Sequence, residues 1–125
     1  MVFAQTTTIA LLSTTTVALN SNADTVIYTV PVGKRCVLAF AKLIAGANAN
    51  STDVSIGQNG AETDFVPTTQ CDNLDAQYDV ITLMPVNSTT PPKEKSYAAG
   101  TVIEFKVTNQ AGGATNTLML FGTLY

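Results

Sequence analysis

The side chains able to do chemistry at neutral pH are few in this chain, and one type is missing altogether. There is no histidine, so neither a Ser-His-Asp nor a Cys-His arrangement can be assembled from it, and histidine-bearing zinc and iron sites go with them. What remains is carboxylate chemistry. The acids are Asp24, Asp53, Glu62, Asp64, Asp72, Asp75, Asp79, Glu94 and Glu104. Two of them facing each other across a sugar would make a glycosidase pair. No spacing marks any two as partners, and without tryptophan the chain lacks the usual stacking platform for a sugar ring. Gly112-Gly113 has neither the spacing nor the following helix of a phosphate-binding loop. The inventory points away from an enzyme.

Metal chemistry has one candidate. Asp72, Asn73, Asp75 and Asp79 place hard oxygen donors in one loop-like stretch, as calcium prefers. The glycine and distal glutamate of the calcium-binding loop are absent, so turn-capping side chains are the stronger reading. No metal and no cofactor are expected. Cys36 and Cys71 have no zinc-type spacing and do not make a disulfide framework; Cys36, set in an apolar run, reads as a small core residue. Asn50-Ser51-Thr52 and Asn87-Ser88-Thr89 match the glycosylation acceptor pattern, which arises readily in a Thr- and Asn-rich chain, and read as surface loops.

The elements that must position these residues are strands. The chain has 125 residues, 46% hydrophobic but only 12% charged, against roughly 25% charged in ordinary domains. Threonine fills the gap, and a β-branched, hydrogen-bonding residue favours a pleated surface over a helix. Such uncharged faces can pack on neighbours without desolvating charge. A net charge of −3 with scattered cations gives no footprint for nucleic acid. No apolar stretch nears the about 20 residues of a membrane-spanning helix. The N-terminal Ile9-Ala10-Leu11-Leu12 run lacks a basic flank, so a strand is expected there and not a secretion signal.

Alternation and short apolar runs predict strands over residues 3–10, 14–19, 25–30, 34–44, 52–56, 79–85, 101–109 and 115–125. Residues 34–44 are apolar on both faces, with Cys36, Leu38, Phe40 and Ile44 on one and Val37, Ala39, Ala41 and Leu43 on the other; a central strand covered on both sides is expected. In residues 101–109, Ile103, Phe105 and Val107 should face inward and Glu104, Lys106 and Thr108 outward. Asn59-Gly60 signals a hairpin turn. Residues 60–77 read as the longest loop, with a turn of helix at 74–78, and residues 86–99 as a second loop. The expected architecture is all-β: one antiparallel β-sandwich over residues 1–125, jelly-roll or immunoglobulin-like, with residues 1–8 as an extended arm.

Tyr28-Thr29-Val30-Pro31-Val32-Gly33-Lys34-Arg35 before an apolar strand resembles an opening common among small β-sandwich virion proteins of tailed bacteriophages. Ala98-Ala99-Gly100-Thr101-Val102-Ile103 and the strand at 118–125 look similar to the second half of such domains. The resemblance is strongest to capsid decoration, or cement, proteins. It implies a structural virion protein without catalysis, made in the host cytoplasm and assembled on the capsid surface. It further implies a homotrimer whose partner is the major capsid protein; the charge and the lack of a long apolar run already argue against a nucleic-acid or membrane partner. The expected contacts are the N-terminal segment, the 60–77 loop and an exposed C-terminal strand, where Met119, Phe121 and Tyr125 offer an apolar edge or face. Phe3, Phe65, Tyr78, Tyr97 and Tyr125 are the candidate interface anchors, since aromatics often serve so. The alternative is a carbohydrate-binding or adhesin module of a phage tail or cell surface.

Overall fold

The computed structural model describes residues 8–85 and 94–125. Among them the strands are β1 (Ala10–Val17), β2 (Asp24–Thr29), β3 (Cys36–Ile44), β4 (Asp53–Gln58), β5 (Ala61–Gln70), β6 (Val80–Leu83), β7 (Ser96–Tyr97), β8 (Val102–Asn109) and β9 (Asn116–Leu124). Every pairing is antiparallel. The pairs nest: β4 with β5, β3 with β6, β2 with β8, and β1 with β9. Rolling that long hairpin adds β9 beside β3 and β8 beside β4. Two sheets result, in the orders β1-β9-β3-β6 and β2-β8-β4-β5, with β7 also on β3. This is the jelly-roll order, and it decides between the two sandwich topologies that the strand pattern allows.

The core lies between the sheets. Leu38, Ala41, Leu43, Leu118 and Leu120 come from one, and Val54, Ile56, Ile103, Phe105 and Val107 from the other. A bulge decides the inward face of β3. Its register against β9 shifts between Leu38 and Phe40, so Cys36 and Leu38 are followed inward by Ala41 and Leu43. Phe40 and Ile44 are thereby moved to the outer face, where they are half-buried. The expected strand covered on both sides is corrected: its uninterrupted apolarity reflects a change of phase and a half-exposed outer face.

It is β4 that is buried on both sides, with Val54, Ser55, Ile56 and Gly57 all inaccessible. The reason is local. A Cβ on Gly57 would lie 2.2 Å from the Ala61 carbonyl oxygen, so only glycine lets β5 fold over the outer face of β4. The hairpin turn falls at Asn59-Gly60 as the sequence signals, with Gly60 at φ 84.

Three further expectations are corrected. The 60–77 loop is largely β5, whose bulges against β4 break the alternation that would have revealed it. The 74–78 segment is a turn and not helix. The C-terminal strand is no edge, because β9 lies between β1 and β3. The N-terminal strand runs over Ala10–Val17, and the expected arm falls almost wholly on residues 1–7, outside the described ones. Within the expected 86–99 loop, Ser96-Tyr97 forms a short strand on Cys36-Val37.

Candidate interaction surface

The five aromatics singled out from the sequence are not brought together. Phe3 lies outside the described residues. Phe65 and Tyr97 are core residues, 6% and 3% exposed. Tyr78 and Tyr125 stand in solvent, at 76% and 53%. Tyr125 closes the end of its sheet: its backbone exchanges hydrogen bonds with Arg35 at 3.0 and 2.8 Å, and its hydroxyl lies 2.7 Å from Ser96 Oγ. The Ser96 hydroxyl, then the Arg35 side chain, lower the phenol pKa below its usual value.

Tyr78 is unusual in its backbone. Its φ is 73°, the left-handed region that a bulky side chain occupies only at a cost. The surrounding turn holds it there, with its N–H on the Ala45 carbonyl at 2.8 Å and the Ala45 N–H on the Asp79 carbonyl at 2.9 Å. Asp79 Oδ2 accepts from the backbone N–H groups of Asp75 and Ala76, at 3.2 and 3.0 Å, and Asp75 Oδ1 accepts from Asn50 Nδ2 at 2.7 Å. Of the oxygen donors weighed for calcium, Asp79 is thereby engaged as a turn cap and Asp75 is tied to Asn50.

The outer face of the sheet β1-β9-β3-β6 carries an apolar band. Its cross-strand rows are Leu11-Phe121-Phe40, Thr14-Met119-Lys42-Thr82, and Thr16-Thr117-Ile44-Val80. Phe40 and Phe121 stack at 4.8 Å between centroids, and Lys42 Nζ lies 6.0 Å over the Phe40 ring. Lys42 also donates to Thr82 Oγ1 at 3.4 Å. Val80 and Met84 are exposed at the far edge, next along the chain from Tyr78. Sequence alternation missed this band because the β3 bulge hides which residues share a face.

A multiply bonded carboxylate and a carboxylate cluster lie on the other sheet. Asp64 of β5 accepts from Lys95 Nζ, Tyr97 Oη, Gln58 Nε2 and the Gln58 backbone N–H. Burial alone would raise its pKa; the donors, Lys95 foremost, outweigh that and hold it below the ordinary carboxylate value. Asp24, Glu62 and Glu104 converge from β2, β5 and β8, each offering an oxygen within 4.8 Å of the others. Their separation along the chain left no sequence signal. Glu104, expected to face outward, is buried under the β4–β5 turn, where Asn59 Nδ2 donates to it at 2.8 Å. Glu62 accepts from the Gly60 N–H, and its pKa is lowered by backbone donors and then by Lys106. These donors offset the gathered negative charge.

No protein-family model and no curated protein matches the chain. Among solved structures it is similar to a chain of the Cyanophage Pam1 capsid asymmetric unit, at 13% identity and a TM-score of 0.58, over 100% of this chain and 92% of that one. The two chains share a fold. The likeness runs the whole length of this chain, so it includes both sheets.

Proposed function

We propose that this chain is a structural protein of a bacteriophage capsid, and in its finer form a decoration protein that stabilises the shell through contacts with the major capsid protein. The observation that carries the reading is the fold likeness to a capsid chain over the full length. A jelly roll hosts unrelated functions, lectins among them, so the surface has to supply the rest. An outer face with Lys42 as the one charge in its three rows can be covered over a large area with little desolvation cost. Tyr78, Val80 and Met84 are the proposed anchors toward the shell, and Tyr125 a second contact. The protein self-associates, as a trimer in the form that the resemblance implies.

Antibody labelling of purified virions of the phage encoding the chain tests the reading. Label spread over the head surface is the expected result. Label on the tail alone, or virions that lack the chain, would overturn it. Retention on a glycan array by the purified protein would favour the carbohydrate-binding alternative.

A further inference from the structure

Each sheet of the sandwich has two edges, and three of the four carry devices that discourage pairing with another chain. At one, β2 opens on Asp24, is bulged between Val26 and Tyr28, and is followed by Pro31. At another, β5 contains Glu62, Asp64 and Pro67 and breaks register twice. The third, β6, is four residues long and is followed closely by Pro85.

The fourth edge, β1, differs. Its sequence ALLSTTTV has no charge and no proline, and the first charged side chain of the whole chain is Asp24. Past a bulge at Leu12, Ser13, Thr14, Thr15, Thr16 and Val17 run in unbroken register with β9. No described strand pairs with the opposite side of β1. Ile9 and Leu11, just before this stretch, are 59% and 48% exposed.

We propose that β1 is a self-association edge, pairing antiparallel with β1 of a second copy across a two-fold axis. The charge pattern selects that occupant. A strand pairing with itself sets identical side chains near the axis, so any charge there would meet its own kind; β1 has none. The threonines instead face threonines or serine, pairs that favour a sheet. The contact is isologous, whereas a three-fold ring joins two different surfaces. The two are therefore separable: a trimer built elsewhere becomes a hexamer through β1, and a chain without another contact becomes a dimer. The inference rests on the edge and not on the capsid reading.

Single cysteines at Ser13, Thr14, Thr15 and Thr16 test the proposal, with Thr108→Cys, an exposed position at the end of β8, as control. Cys36 and Cys71 are fully buried and do not compete. Mild oxidation should link two chains at the positions nearest the axis and not at residue 108. Light scattering of the wild type should give an even number of copies. Thr14→Lys with Thr16→Lys, both exposed side chains, should weaken association about tenfold at low salt, and high salt should restore it. A wild-type monomer or trimer, or no linkage at any of the four β1 positions, would overturn the proposal while leaving the capsid reading to its own labelling test.

Discussion

The Tyr97 hydroxyl donates to Asp64 Oδ1 at 2.9 Å, so β7 on one sheet is tied to β5 on the other by a nearly inaccessible phenol. Lys95 lies 5.5 Å over the Tyr97 ring while its ammonium contacts the same carboxylate. Burial, then Asp64, pushes the phenol pKa well above its usual value, so Tyr97 keeps its proton and remains a donor at neutral pH. Tyr97→Phe keeps the ring and removes the donor. It should cost about 1.5–3 kcal/mol, the range for a hydrogen bond to a charged group, measured by urea unfolding. A cost below about 0.5 kcal/mol, that of a surface change, would mean that the two sheets are not joined here.

The same carboxylate fixes a pH dependence. Its folded pKa lies below the unfolded value of about 4. The stabilisation is therefore fully present above that value and is lost as pH falls through the folded pKa. Lys95 is half-exposed, so solvent screens its leading share of the effect, and the tyrosine and glutamine donors add to it. Asp64→Asn should be less stable than the wild type at pH 7, with the gap closing below about pH 4. A gap constant from pH 7 to pH 3 would show that the charge is immaterial.

Asn116 is a second pin, at the start of β9. Its Oδ1 accepts from the Gly46 N–H at 2.9 Å, and its Nδ2 donates to the Val17 and Gly113 carbonyls at 3.1 and 2.9 Å. One inaccessible amide thus satisfies three backbone groups at the sandwich end. Asn116→Ala should cost about 2–4 kcal/mol, because those groups lose partners together. Exposed Asn109, which donates only to Ser51, gives the contrast: Asn109→Ala should cost under about 0.5 kcal/mol. Equal effects would remove the distinction.

Both thiols are free and buried. Burial pushes Cys36 up to about 11, and burial followed by Asp53 and Asp72 pushes Cys71 up to about 12. Neither is a thiolate at pH 8, and neither is reachable. A thiol-specific chromogenic reagent should find no reactive sulfur in the native protein and two per chain in denaturant. Rapid labelling of either thiol under native conditions would place it in a region that opens without global unfolding.

How far the sequence could be read depended on where the period-two pattern stayed intact. In β8, Ile103, Phe105 and Val107 point inward as alternation requires, and Asn59-Gly60 marks the β4–β5 turn by chemistry alone. Bulges defeat the pattern elsewhere. The extra residue between Leu38 and Phe40 swaps the faces of β3, and two irregularities make β5 look like loop. Glu104 breaks the rule differently: it sits on the outward phase, yet Gly57 lets β5 close over it. The candidate surface was legible only as aromatics. Composition cannot tell that Phe65 and Tyr97 are core residues while Tyr78 is displayed, since a neighbour decides each case.

Tyr78 gives the sharpest division between stability and function. At φ 73° a glycine carries no Cβ penalty, whereas tyrosine pays roughly 1–2 kcal/mol. The glycine's freer unfolded chain returns about 0.5–1 kcal/mol of that. With its side chain mostly in water, Tyr78 has little packing to lose. Tyr78→Gly should therefore leave the unfolding free energy unchanged or raise it by up to about 1.5 kcal/mol. The same variant should bind capsid shells more weakly by about tenfold or more if the ring is an anchor. A variant that is destabilised would mean that the ring packs in the native state. One that binds normally would remove Tyr78 from the contact surface and leave the burden on the outer-face band around Phe40 and Phe121.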